Sequence, residues 1–383
     1  MDKSPVYFAE CPVYDAEKIA GLLRDALAAL GFDESRVRGR RVLIKPNLVL
    51  ALKPEVGATT HPSFVRAAVE VLSSMGAEKI VLADSPGGPY NAASISHVYK
   101  VCGMDQIDDP RLTLNADYGF SDASAHGVRL HSFHVLNPFS ACDLVVDLCK
   151  LKSHELTGMS CAVKNLFGLI PGTEKFEAHN LCPQIADFSE LLVDLAAFVT
   201  REKDFLAICD GVLSMEGNGP THGVPKETRI VLVSESPFTL DIAAEHIMGR
   251  DGEVLHLDAA AKRGLMPRDV KEITVLGTDS LPVFDFVRAD ADAGSFLRGL
   301  PNFMGGRLVK FFEPRPVIKK EICVGCGKCA ENCPRHTIQM KKKGKKRLAR
   351  IVKKNCIKCW CCQELCPKGA VGVKRNPIIK LIH

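Results

Sequence analysis

One cysteine pattern occurs twice near the C-terminus: Cys323-x-x-Cys326-x-x-Cys329-x-x-x-Cys333-Pro334 and Cys356-x-x-Cys359-x-x-Cys362-x-x-x-Cys366-Pro367. A segment built this way has to fold around whatever those sulfurs hold. The spacing is that of bacterial-type runs that bind [4Fe–4S] clusters. Thiolates are soft, anionic donors suited to iron, and three closely spaced cysteines wrap three corners of one cube while the fourth reaches across to another. The usual geometry of such pairs assigns Cys323, Cys326, Cys329 and Cys366 to one cluster, and Cys356, Cys359, Cys362 and Cys333 to the other. Zinc competes poorly, because it wants four ligands, usually as two well-separated pairs. Two matching four-cysteine runs are accounted for more simply by two cubanes than by zinc or disulfides. Cys361 is surplus to this scheme.

Charge divides the chain at the same place. Residues 315–383 hold 19 Lys/Arg against 3 Asp/Glu, a net of +16, whereas residues 1–314 hold 31 against 42, a net of −11. Clusters carrying four thiolates each are anionic and offset part of the basic excess. The remainder suits an acidic partner, the chain's own acidic body included. The run Lys341-Lys342-Lys343-Gly344-Lys345-Lys346-Arg347, followed by Arg350, Lys353 and Lys354, reads as a hairpin with a solvated tip. Nucleic acid is the less fitting partner for it: no aromatic platform is interleaved, and the single tryptophan, Trp360, sits inside a cysteine run. No apolar stretch approaches the ~18 residues of a membrane span, and Met1-Asp2-Lys3-Ser4-Pro5 opens without an apolar signal core. Sixteen cysteines and oxygen-sensitive clusters point to a reducing, cytoplasmic setting.

Upstream, apolar strand-like runs alternate with amphipathic helical stretches, the pattern of an α/β fold with a mostly parallel sheet and helices on both faces. Strands are expected at Arg41–Pro46, 79–84, 143–152, 205–209 and 229–233. Helices are expected at 62–75, from about 157 through 164, at 188–200 and at 238–248. Two short pieces, 111–114 and 128–135, read as an inserted or edge section. The resulting division is an α/β domain over 1–284, a connecting segment over 285–316, and a C-terminal α+β ferredoxin-like two-cluster domain over 317–383. That last segment is short for a hydrophobic core, so its cofactors are expected to hold it folded.

Polar residues of the large domain gather at the C-terminal ends of the expected strands, where α/β folds place their sites. Lys45 and Asn47 follow the first strand. His61 precedes a helix, and Asp84 leads into Gly87-Gly88. Lys152-Ser153-His154 leads toward Lys164-Asn165, and Asp210-Gly211 toward Glu216-Gly217-Asn218-Gly219-Pro220. Lys152 and His154, a cation and an imidazole ahead of an expected helix, suit an anionic ligand and are the candidate catalytic pair. The candidate ligand-binding set is Lys45, Asn47, His61, Asp84, Lys164, Asn165, Asp210, Glu216 and Asn218. Each also has an ordinary structural role open to it, as a strand-end or turn residue. Of the seven cysteines outside the cluster segment, Cys149 and Cys209 read as small core residues. Cys161 also reads as core and is the one that merits a reactivity test. No phosphate loop, dinucleotide fingerprint or nucleophile elbow is present.

Together, Lys45-Pro46-Asn47-Leu48, Thr60-His61-Pro62, Ala83-Asp84-Ser85-Pro86-Gly87-Gly88, Lys150-Leu151-Lys152-Ser153-His154, Ala162-Val163-Lys164-Asn165-Leu166-Phe167-Gly168 and Asp210-Gly211-Val212 through Glu216-Gly217-Asn218-Gly219-Pro220 resemble one family. It is the family called domain of unknown function 362, in its arrangement with a C-terminal ferredoxin-like domain. The likeness runs from about residue 5 to residue 280, and the Asp-Gly…Gly-Asn-Gly-Pro segment bears a more distant one to lactate-racemase-type proteins. The family resemblance implies the fold division and the two [4Fe–4S] clusters, and no particular reaction. The expectation is an iron–sulfur electron-transfer protein working with a redox partner and a small-molecule ligand, an oxidoreductase if the ligand is a substrate. Its alternative is a non-redox enzyme or ligand-binding module whose clusters are structural or redox-sensing.

Overall fold

The computed structural model describes residues 4–291, 314–344 and 346–375. Most of the connecting segment expected at 285–316 therefore lies outside the described residues, as does Lys345 in the basic hairpin.

In chain order the large domain comprises β1 (Val6–Glu10), α1 (Ala16–Leu30), β2 (Arg41–Pro46), α2 (Pro62–Ser74), β3 (Lys79–Leu82), α3 (Ala92–Val101), β4 (Leu112–Leu114), β5 (Phe120–Ser124), β6 (Ser132–Leu136), α4 (Asn137–Ala141), β7 (Leu144–His154) and β8 (Gly158–Ser160). It continues through α5 (Ala162–Asn165), α6 (Glu174–Leu181), α7 (Ile185–Glu202), β9 (Asp204–Glu216), β10 (Val224–Ser234), α8 (Pro237–Ile247), α9 (Leu255–Lys262) and β11 (Val275–Leu276). One sheet carries the order β11-β1-β10-β9-β7-β2-β3-β4, with β8 paired to β7. From β9 to β4 every neighbouring pair is parallel. Strands β10 and β1 run antiparallel at the other side.

Strand alternation explains why helices cover both faces. Val42, Ile44, Leu144, Val146 and Leu148 pack with α1, α2 and α3, whereas Leu43, Val145, Cys149 and Leu151 pack with α5, α7, α8 and α9. Each fully buried aliphatic side chain of this kind contributes roughly 1.5–3 kcal/mol relative to exposure. The helices themselves are punctuated by their sequence. Asp15 caps α1 by accepting from the backbone N–H groups of Glu17 and Lys18, and Gly31 ends it in the left-handed conformation. His61 caps α2, accepting through Nδ1 from the Ser63 N–H ahead of Pro62 at the first helical position.

Two expectations need correction. No helix spans 157–164: β7 continues through His154, turns at Gly158 and pairs with β8, and α5 begins only at Ala162. The strand expected to stop at 209 runs on to Glu216, so Asp210 lies inside β9 and not at its end. The two short pieces read as an inserted or edge section do form one: 111–114 gives β4 on the sheet edge, and 128–135 gives β6 (Ser132–Leu136) in a hairpin with β5 apart from the main sheet.

The C-terminal segment contains β12 (Arg315–Ile318) paired with β15 (Val371–Lys374), and the hairpin of β13 (Ile338–Lys343) with β14 (Lys346–Ile351). Its second cysteine run packs against the large domain. Leu365 fills the space beside Gly87, where an added Cβ would lie 2.7 Å from Leu365 Cδ2. Thr221 Oγ1 donates to the Glu364 carbonyl (3.0 Å), and Gln363 Nε2 donates to the Asn218 carbonyl (3.3 Å).

Candidate functional site

The eight expected cluster ligands gather into two separate cavities. Cys323, Cys326, Cys329 and Cys366 line one, and Cys333, Cys356, Cys359 and Cys362 line the other. The fourth cysteine of each run thus faces the cavity of the other run. Four convergent sulfurs at each cavity fit the donor chemistry of a [4Fe–4S] cluster. Backbone N–H groups are already aimed at two of these sulfurs, from Thr337 to Cys333 Sγ (3.3 Å) and from Ala370 to Cys366 Sγ (3.2 Å). The surroundings of the two cavities differ. Around the first run Cys326, Ile322 and Val324 are exposed among Lys319, Lys320 and Lys328. The second run turns Cys361, Glu364 and Leu365 inward onto the large domain.

Between that second run and the C-terminal ends of β2, β3 and β7 lies a cavity of about 80 Å³, space on the order of five waters. Lys45, Asn47, Asp84, Lys152, His154, Lys164 and Asn165 all line it, together with Lys175, His179 and Glu364. Four ammonium-bearing side chains therefore face two carboxylates.

The wall is a continuous polar network. Lys45 Nζ sits 2.8 Å from Asp84 Oδ1 and donates to the Pro46 carbonyl (2.7 Å). Asp84 Oδ2 accepts from the Leu48 N–H (2.7 Å). Gly168 makes this pair possible, because a Cβ there would overlap Asp84 Oδ1 and the end of Lys45. Asn47 Nδ2 donates to Asn165 Oδ1 (2.9 Å), and Asn47 Oδ1 accepts from Lys152 Nζ (2.9 Å). Asn165 Nδ2 in turn donates to Asp147 Oδ1 (2.6 Å), whose carboxyl burial pushes well above the usual range.

Burial also loosens protons here. It pulls Lys152 and Lys175 down to about 7, and lowers Lys164 too. The Lys164 ammonium lies over the rings of Phe167 (5.1 Å) and Phe188 (5.9 Å). His154 is lowered well below an ordinary imidazole, by burial first and by Lys164 and Lys152 next. Its Nδ1 accepts from the backbone N–H groups of Leu156 (3.1 Å) and Thr157 (3.3 Å). The neutral ring therefore carries its proton on Nε2. That N–H has no hydrogen-bond partner among the described residues, although Glu364 Oε1 is 3.3 Å away. Burial raises Glu364 in its turn.

The remaining candidates lie elsewhere. Asp210 is buried in an ion pair with Lys150 (2.7 Å) and accepts from Tyr14 Oη (2.9 Å) and from the His61 N–H (3.0 Å). The His61 ring stacks on Tyr14 at 3.7 Å. This cluster ties β9 to the start of α1 and α2 on the far face of the sheet. Glu216 pairs with Lys226 (2.8 Å), and Asn218 exchanges hydrogen bonds with Asp290.

Sequence reading missed Lys175, His179, Ser85 and Glu364. Lys175 and His179 stand four apart on α6, hence on one helix face, which was the available signal. Lys175 Nζ donates to Ser85 Oγ (2.8 Å) and to the Ile170 carbonyl (2.6 Å). Glu364 carried no such signal, because nothing local says that a cluster run closes a cleft of another domain.

A large, mostly parallel mixed sheet with a polar cleft at its strand ends, joined to a cysteine-rich ferredoxin-like segment, defines the class: an α/β protein with a two-cluster iron–sulfur module. Within that class the chain belongs to the DUF362 family, the domain of unknown function matched over residues 42–246, and it carries a 4Fe-4S dicluster domain matched over residues 322–370. The dicluster match implies two [4Fe–4S] clusters. A thylakoid-associated protein of Synechocystis sp. is 32% identical over 258 residues, 66% of this chain and 78% of that protein. Two solved structures are distantly similar. One is a structural-genomics crystal structure from Thermotoga maritima (14% identity, TM-score 0.37, covering 58% of this chain). The other is the lactate racemase apoprotein of Thermoanaerobacterium thermosaccharolyticum (12% identity, TM-score 0.39, covering 64% of this chain). The chain spans 56% and 57% of their respective lengths. Among the described residues no helix is long and apolar enough to cross a membrane.

Proposed function

We propose that this chain is an iron–sulfur electron-transfer protein that exchanges single electrons between a redox partner and a small anionic ligand held in the lysine-lined cleft. When bound, the two [4Fe–4S] clusters supply one-electron chemistry. The observation that carries the reading is the shared wall: Cys361, Glu364 and Leu365 of the second cysteine run line the same cavity as Lys152, His154 and Lys164. Lys152, Lys164 and Lys175 would hold the anion, and His154 Nε2–H would donate to it or hand over a proton as it is reduced. Exposed Ile322 and Val324, ringed by lysines at the opposite end, suit an acidic partner protein.

The domain limits proposed with this reading are an α/β domain to about residue 284 and the cluster segment from about 317. A second reading, in which the clusters brace the segment and do not turn over, draws on how little apolar core that segment has. Mixing anaerobically reduced protein with a panel of small carboxylate and phosphate-bearing acceptors, and following cluster reoxidation, separates the two. The relay predicts an acceptor that speeds reoxidation, with Lys152→Ala and His154→Ala slowing it at least about tenfold while the fold is kept. No acceleration by any acceptor, or variants as fast as the parent, favours the bracing role.

A further inference from the structure

Cys149, Cys161 and Cys209 take no part in the cleft or in the cluster cavities, yet they come together deep in the large domain. Cys149 on β7 and Cys209 on β9 face each other directly in the parallel register. Cys161 arrives from a third element, the residue that leads into α5. The Cys149–Cys161 and Cys161–Cys209 sulfur separations are both 3.6 Å, and all three sulfurs lie within 4.8 Å of one another. None of the three residues is exposed.

We propose that these cysteines form an additional metal site, taking one soft, thiophilic ion of the copper(I) class in trigonal sulfur coordination. An ion about 2.3 Å from each of three coplanar sulfurs needs them about 4.0 Å apart, so the observed spacing requires only small side-chain adjustments. Sulfurs in such close contact are too near one another to cap three corners of a cubane, which excludes a third cluster. Among the described residues no fourth histidine, cysteine or carboxylate joins the group. Structural zinc is almost always four-coordinate, whereas three thiolates alone suit copper(I). The competing role is plain packing, since a cysteine is a good small core residue. Packing does not, however, call for three of them in mutual contact from three separate elements. Each sulfur that binds the ion gives up its proton, so loading releases protons and leaves the oxidation state of sulfur unchanged.

The test uses the full chain with its clusters intact, expressed in copper-supplemented medium and purified without oxygen. Metal analysis is expected to give about one copper beside about eight irons per chain, and X-ray absorption at the copper edge three sulfurs at about 2.3 Å with no nitrogen or oxygen. Cys161→Ser is expected to reduce copper to under about a tenth of an equivalent with iron unchanged. Wild-type protein with no copper overturns the proposal, as does copper that persists in the variant or replaces iron. Should Cys161→Ser fold poorly, the wild-type absorption spectrum decides alone: a shell containing light atoms or neighbouring iron ends the proposal.

Discussion

The large domain and the cluster segment solve the same problem by different means. In the large domain two extensive apolar layers, one on each face of the sheet, are complete in the chain itself. In the cluster segment the contiguous described cluster is only Cys366, Ala370 and Val371, with Ile318, Cys323 and Cys362 packed around it, and Ile338, Leu348, Ala349 and Trp360 are buried outside it. Three of the six in that cluster and its surround, Cys323, Cys362 and Cys366, are expected cluster ligands. What burial does for the first region, metal–thiolate bonding has to do for the second. The comparison teaches where each region is vulnerable: one to changes of side-chain volume and charge, the other to loss of a cofactor.

The sharpest way to break that contrast is to remove the iron. Oxidative chelation should collapse amide-exchange protection across 314–344 and 346–375, while β2, β7 and β9 stay protected. If the cluster segment keeps its protection, its fold does not depend on the cofactor. A smaller effect is expected from Gly168→Ala, whose new Cβ would overlap the Lys45–Asp84 pair. Disrupting a buried ion pair costs on the order of 3–5 kcal/mol, so chemical denaturation should register a loss of that size with iron content unchanged. A loss under about 1 kcal/mol would show that the pair relocates easily.

The smallest expected effect is a pH dependence confined to the cleft. Lys152 and Lys175, brought down to about 7 by burial, are charged below that pH and neutral above it. Affinity for a small anion should therefore be greatest below pH 7. Above it, affinity should fall by up to about tenfold per pH unit for each ammonium the anion needs. Calorimetric titration across pH 6–9 reads this directly, and Lys152→Met should flatten the slope. An affinity that rises with pH would assign the cleft to a neutral or cationic ligand instead.

Much of the fold was legible because strand alternation and helix caps are local signals. The strands around Ile44, Val146 and Val231 and the helices around Val69 and Leu192 all stand where period and punctuation put them. The stretch after His154 misled, because its turn depends on Gly158 and on pairing with β7, a tertiary choice that a helix-like composition does not reveal. For the cleft, seven of the named candidates converge because they sit at neighbouring strand ends or on the α5 turn beside them. Asp210 was misplaced for one reason: β9 runs on past it, and strand geometry turns its carboxylate toward Tyr14 and Lys150. Residues supplied by another part of the chain, such as Glu364, are invisible to local pattern because only docking brings them in.

Leu365 beside Gly87 gives that docking a further meaning. A leucine next to one expected cluster cysteine, Cys366, and a glycine in the loop after β3 share a seam, and the cleft is closed only while the seam is shut. If the cofactor holds the cluster segment in shape and the cleft takes an anion as proposed, the capacity for that anion rises and falls with the iron supply. By the reciprocity of linked equilibria, an anion bound in the cleft would also make the iron harder to lose.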